Sequence, residues 1–131
     1  GLCERKGRTI SWVSSPVSTE LKRFMNIILV DEHLPPIEWA RGVGLYGSWA
    51  RGTNTLESDL DLWILVDRYD HELELTIAEL QYALSQKIGY DVHTLILTRK
   101  KIRDLPSRDP PFYREFIQDH CVIRGEGIDI T

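Results

Sequence analysis

The sequence predicts an α/β fold: a small mixed sheet with helices packed on it. Three observations point there. Leu62-Trp63-Ile64-Leu65-Val66 is a continuous apolar run, which suits a strand buried on both faces. Residues 70–87 carry an apolar stripe at helical spacing, with Leu73, Ile77, Leu80, Leu84 and Ile88 on one side. The segments between alternate in kind, and the order helix, strand, short helix, strand, helix, strand, helix needs a sheet with helices laid against it.

The elements follow in order. Residues 1–13 pattern as a hairpin, with Lys6-Gly7 at the turn. Ser15-Pro16 reads as a helix start, serine capping and proline at the first helical position. Leu21, Phe24, Met25 and Ile28 then give helical spacing over about 16–32, and Leu34-Pro35-Pro36 ends it. Ile37 to Tyr46 reads as a strand that Gly42 and Gly44 weaken. Gly47 to Gly52 is a tight turn opening one short helix, and 53–58 is polar loop. A second strand spans 59–67. The helix over 70–87 stops at Gly89. Tyr90 to Leu97, rich in β-branched residues, is the third strand. Arg99 to Leu105 is a short helix, Pro106 to Pro111 a proline-rich loop, Phe112 to His120 a last helix, and Cys121 to Arg124 an edge strand.

The whole chain limits the possible functions. At 131 residues it is one domain, 15–131, preceded by an arm over 1–14. A net charge of −4 argues against broad nucleic-acid binding. It leaves room for a nucleotide substrate, because a metal ion neutralises phosphate locally. Cys3 and Cys121 form neither a disulfide framework nor a zinc site, and a reduced, cytoplasmic setting is the default. No apolar run approaches the roughly 18 residues of a membrane helix, so no membrane partner is expected.

Two short motifs carry the chemistry. Asp59 and Asp61 alternate with Leu60 and Leu62, so a strand presents both carboxylates on one face and packs leucine on the other. Their Cα atoms should stand about 6.5–7 Å apart. Carboxylates from there can share ions about 3.5–4 Å apart. Oxygen ligands suit Mg²⁺ or Mn²⁺. Alone, such a pair is more often two solvated aspartates. Gly47-Ser48, after a strand and opening a helix, makes a seat for phosphate, since glycine lets an anion approach the backbone N–H groups. Alone, it is more often a plain turn. Gly42-Val43-Gly44-Leu45-Tyr46-Gly47 matches G-x-G-x-x-G by letter, but Gly52 stops any long helix behind it, so a dinucleotide-binding loop is rejected.

Together the motifs are far more specific. Gly47-Ser48, ten residues, then Asp59-Leu60-Asp61 fits G-S-x10-D-x-D, and Ala50, Arg51, Gly52 and Ser58 extend it to G-S-x-A-R-G-x5-S-D-x-D. The chain thereby resembles the minimal nucleotidyltransferases of the DNA polymerase β superfamily. That resemblance implies a polymerase β-like fold over 15–131 and a third carboxylate on the next long strand, for which Asp91 is the candidate. It implies Mg²⁺ (or Mn²⁺) on Asp59, Asp61 and Asp91, and ATP as the substrate held by Gly47, Ser48 and Arg51. Arg51 can equally pair with Glu57 or Asp59 and only shape the loop. His93, two residues beyond Asp91, reads as a packed strand histidine.

The resemblance further implies transfer of AMP to an acceptor hydroxyl. One such acceptor is a tyrosine of a HEPN-type toxin, with this chain as antitoxin. Because the domain is small, a second chain or domain is expected to complete the site, with a HEPN protein or another copy as possible partners. The N-terminal segment resembles the wing of a winged helix-turn-helix in its GL-x-x-R-x-G-R text, and a frayed basic arm explains it equally well. If it is a wing, the alternative function is a non-catalytic nucleotide-binding or regulatory module beside a DNA-binding domain, the one route to a nucleic-acid partner. A small-molecule nucleotidyltransferase of the antibiotic-modifying kind usually carries an added helical domain, for which this chain has no segment.

Overall fold

The structure, a computed structural model, describes residues 3–6, 9–12 and 16–128. Strands β1 (Cys3–Lys6) and β2 (Thr9–Trp12) pair antiparallel with Lys6 opposite Thr9. The hairpin expected from the sequence is therefore formed, while Gly7 of its turn and the Ser15 cap lie outside the described residues.

The main sheet runs β5 (Val92–Leu97), β4 (Leu60–Leu65), β3 (Gly42–Tyr46), β6 (Cys121–Gly125). It is mixed. Strands β4 and β5 are parallel, because helix α3 (His71–Ile88) carries the chain back between them. Strand β3 is antiparallel to both β4 and β6. Asp70 caps α3 by accepting from Leu73 N (2.8 Å), and Gly89 ends it at φ 87°.

The period-2 alternation of β4 divides the core into two layers. Leu60, Leu62 and Ile64 face α1 (Pro16–His33) and α3, joining Val30, Leu34, Ile77, Leu80 and Leu84. Trp63 and Leu65 face the other way, joining Leu97, Ile102 of α4 (Arg99–Arg108) and Phe116 of α5 (Pro110–Asp119). Asp59 and Asp61 share the parity of Trp63 and Leu65, so they stand on that second face, at the end where the strand leaves the apolar cover.

Three expectations are corrected. The strand expected from Ile37 begins only at Gly42: Ala40 N donates to Ile37 O (3.2 Å), a turn that follows the two prolines and delays pairing with β4. Helix α1 buries a different stripe from the one its sequence suggests. Phe24, Met25 and Ile28 are exposed, whereas Asn26 and Val30 face inward. The loop expected at 106–111 is helical at both ends. Pro106 sits in the last turn of α4, where it forfeits one donor, and α5 opens on Pro110 and Pro111. Asp109 alone makes the corner: its N–H bonds Leu105 O (3.0 Å) and its carboxylate accepts from Phe112 N (3.3 Å).

Candidate active site

The site lies where β3 runs into α2 (Gly47–Arg51), beside the start of β4. In the sheet Asp61 stands between Tyr46 of β3 and His93 of β5. Gly47 turns the chain with φ 70°, and a Cβ built on it would lie 2.5 Å from Asp61 Oδ2. The glycine is thus required twice, by its left-handed backbone and by the carboxylate pressed against it. Tyr46 gives α2 no side-chain cap, so no side chain at the cap position takes up the amides of its first turn. Gly52 ends α2 at φ 78°, and a Cβ there would collide with the Thr19 carbonyl of α1. Both glycines of the motif are explained by close approach.

Residues outside the motif hold it in place. Asn26, buried on α1, donates from Nδ2 to Trp49 O (3.0 Å) and to Asn54 Oδ1 (2.8 Å). Lys22 Nζ donates to the Asn54 carbonyl. One polar patch on α1 therefore fixes both α2 and the loop after it. Ser58 Oγ accepts from Thr55 N (2.9 Å) and Ser58 N donates to Thr55 O (3.1 Å), closing the turn that delivers Asp59. Asn26 and Asn54 were not legible as supports; the available signal was an asparagine on the apolar side of a helix, which costs stability unless it is bonded.

The carboxylates differ in environment. Asp59 is half-exposed, and His93 Nε2 donates to its Oδ2 at 3.0 Å. Asp61 is half-buried, and its pKa is raised, first by burial. The nearby His93 pulls it down, Asp59 pushes it up, and Arg51 pulls it down again. Burial and Asp61 together push the Tyr46 hydroxyl up to about 12. Arg51 pairs with Asp119 of α5 (3.2 Å) instead of Glu57 or Asp59. Asp91 stands exposed just before β5, and its carbonyl accepts from Leu60 N (2.8 Å). The structure therefore brings together Gly47, Ser48, Asp59, Asp61 and Arg51, with His93 added; Asp91 stands one residue ahead of β5, opposite Asp59 in the β4–β5 register.

The donor set fits a divalent cation. Two carboxylates share one face, and a positive ion would relieve both their mutual repulsion and the burial that holds Asp61 toward neutrality. Among the described residues, no three His, Cys, Asp or Glu side chains already converge as a closed metal cage.

A mixed four-stranded sheet flanked by helices, with a paired-aspartate strand beside a Gly-Ser turn, defines a polymerase β-like nucleotidyltransferase fold. The nucleotidyltransferase domain family matches residues 32–124, well over half of the chain, and the chain belongs to that family. No curated protein sequence matches it. Among solved structures, the chain is similar to a chain of the toxin–antitoxin complex MntA–HpeT (19% identity, TM-score 0.50, covering 79% of this chain and 73% of that one). It is also similar to a chain of a toxin–antitoxin complex with AMP-PNP (21%, TM-score 0.49, 79% and 73%). A third is the complex of a tri-AMPylated HEPN toxin with its MNT antitoxin from Shewanella oneidensis (18%, TM-score 0.44, 82% and 73%). At these identities the likeness concerns the fold. No helix among the described residues is long and apolar enough to cross a membrane.

Proposed function

We propose that this nucleotidyltransferase transfers a nucleoside monophosphate, AMP from ATP, to an acceptor hydroxyl. The observation that carries the reading is Asp61 set against the Gly47 turn, with Asp59 two residues before it on the same face, an arrangement that suits metal ligands beside a phosphate seat. Asp59 and Asp61 would hold divalent metal, Mg²⁺ or Mn²⁺, which supplies charge neutralisation on the phosphates and activates the attacking oxygen. Ser48 and the amides of α2 orient the phosphate chain. Arg51 lies within electrostatic reach of Asp61, and its fork would contact phosphate oxygens on release from Asp119. A bond forms between the acceptor oxygen and the α-phosphorus, the bond from that phosphorus to the bridging oxygen breaks, pyrophosphate leaves, and the acceptor proton passes to a base or to water.

A protein hydroxyl is the acceptor this reading favours, specifically a tyrosine of a HEPN-type partner, with the chain as antitoxin. The fold is shared with chains from toxin–antitoxin complexes, and the half-exposed Asp59 leaves the site open to a second chain. The test is incubation with ATP, divalent metal and the neighbouring gene product, checked for a HEPN domain, followed by intact-mass analysis. A gain of one or more AMP units on the partner is expected, lost in Asp59→Asn with Asp61→Asn. An unmodified partner removes the acceptor assignment.

A second reading rests on the paired β1–β2 hairpin: a regulatory module beside a winged-helix DNA-binding domain. Binding to duplex DNA by the full-length protein, without nucleotide transfer, would favour it.

A further inference from the structure

We propose that the cleft between α1 and the loop over 53–55 is a second ligand site, apart from the active site, for a planar, uncharged ligand whose edge carries a hydrogen-bond donor beside an acceptor. Asn26 is a polar residue on the buried side of α1. Its Nδ2 spends both protons, on Trp49 O and on Asn54 Oδ1. Among the described residues nothing meets its Oδ1. Asn54 accepts from Asn26 at Oδ1 and from Lys22 at its carbonyl, which leaves its Nδ2 donors unused. The two residues are only 7% and 6% exposed, yet neither free atom is enclosed by protein, unlike Nε1 of Trp49. Both line the same cleft of about 590 Å³, a size within the roughly 300–1,000 Å³ of small-molecule sites. The cleft exists because Gly52 brings the end of α2 against the Thr19 carbonyl of α1, while the chain beyond it turns away toward Ser58.

The walls set the rest of the chemistry. Met25 and Leu29 of α1 and the Tyr90 ring supply apolar surface. Tyr90 stands edge-on to Trp49, with ring centroids 5.1 Å apart, and gives the cleft a flat aromatic side that favours a flat ligand. Lys22 is the one charged residue in the lining, so a cationic ligand is disfavoured. The ligand must donate to Asn26 Oδ1 and accept from Asn54 Nδ2. A nucleobase with an amine beside a ring nitrogen presents that edge, and so does a primary carboxamide. The lining includes none of Gly47, Ser48, Arg51, Asp59 or Asp61. Its Leu29, Trp49 and Tyr90 belong to the α1–α3 layer, on the sheet face opposite the two carboxylates. The proposal therefore does not rest on the nucleotidyl-transfer reading.

The experiment titrates adenosine and nicotinamide, without metal, into the whole isotope-labelled chain and follows the side-chain amide signals of Asn26 and Asn54 by nuclear magnetic resonance. At least one of the two probes should shift both sets of signals, and which one does so tells a base from a carboxamide. Purine riboside and nicotinate, which lack the donor, should bind about tenfold more weakly than their parents, the worth of one hydrogen bond. Asn54→Asp keeps the acceptor that Asn26 uses and turns the free donor into an acceptor, so it should also cost about tenfold. Thr53→Phe, at the exposed rim, should fill the cleft and block binding without touching either asparagine. Should Asn54→Asp melt early, Thr53→Phe alone decides. The site is overturned if neither probe shifts the asparagine signals, if the donorless analogues bind as well as their parents, or if binding survives Thr53→Phe. Shifts that vanish in Asp59→Asn with Asp61→Asn place the ligand in the active site and overturn it equally. Each of these outcomes leaves the nucleotidyltransferase reading intact.

Discussion

Asp61 Oδ2 occupies the space that a side chain on Gly47 would need: the distance to a Cβ built there is 2.5 Å. The Gly47 turn and the Asp61 carboxylate are thus one packing unit, joined through the β3–β4 pairing that sets Tyr46 opposite Asp61.

From that contact, Gly47→Ala should act on the carboxylate as well as on the turn. Alanine at φ 70° adds strain of about 1–2 kcal/mol, and its methyl group pushes Asp61 away. ATP affinity in the presence of metal should fall by more than the stability loss accounts for. Ser48→Ala removes one donor and should cost roughly 0.5–1.5 kcal/mol of binding. Calorimetric titration and thermal melting of both variants decide it. A Gly47→Ala protein that melts earlier but binds ATP normally would leave the glycine serving the turn alone.

Asp61 also makes a prediction about pH. Its folded pKa is raised above the unfolded value, so the folded state holds the proton more tightly. That contribution to stability is fully present below the unfolded pKa and is lost as pH rises through the folded one. In chelator, Asp61→Asn should therefore melt higher than wild type at neutral pH, and the gap should close on acidification. Metal should reverse the order, since it stabilises only the wild type. Equal melting curves at both pH values would show that burial does not disfavour the Asp61 charge.

How far the sequence carries this structure depends on what set each feature. Helix α3 was legible because its stripe, its Asp70 cap and its Gly89 stop agree. The Asp59–Asp61 face was legible because alternation on a strand has only two answers. Helix α1 was misread because Phe24, Met25 and Ile28 are apolar yet exposed, while Asn26 is polar and buried for the bonds it makes to Trp49 and Asn54. Hydrophobic spacing cannot show a bond to a loop 28 residues away. His93, read as a packed strand histidine, is exposed instead. Only the β4–β5 register, a long-range fact, places it beside Asp61.

Arg51 can be separated into strut and ligand. It bonds Asp119 at 3.2 Å, linking α2 to α5. An ion pair this exposed contributes about 0.2–1 kcal/mol, so a double-mutant cycle on stability with Arg51→Ala and Asp119→Asn should give a coupling of that size. Nucleotide affinity should respond differently. Arg51→Ala should lose about tenfold or more, the worth of a hydrogen bond to a charged group, while Asp119→Asn, which frees the guanidinium, should lose nothing. If Arg51→Ala binds ATP as wild type does, the arginine only braces the two helices.

Gly44 carries the last prediction, because the residue that weakens β3 as a sequence is required there by its neighbours. Strand β3 lies between β4 and β6, with an irregularity in the β6 register between Val43 and Gly44. Trp63, opposite Gly44 and fully buried, crosses beneath it so that its Nε1 donates to the Cys121 carbonyl at 3.1 Å. A Cβ on Gly44 would lie 2.6 Å from two atoms of that indole and would collide with the same carbonyl. The ring has no free side to move to, and the carbonyl belongs to backbone. Gly44→Ala should therefore sit at the upper end of overpacking costs, about 3 kcal/mol, or a melting point lower by about 10 °C. Gly44→Ala combined with Trp63→Leu should not recover it, since the clash with Cys121 remains and the Trp63 bond is lost. A single variant that melts within a degree or so of wild type would mean that β6 can slide away from β3 at little cost. Asp119, the last residue of α5 and two residues before β6, would then be a poor anchor for Arg51.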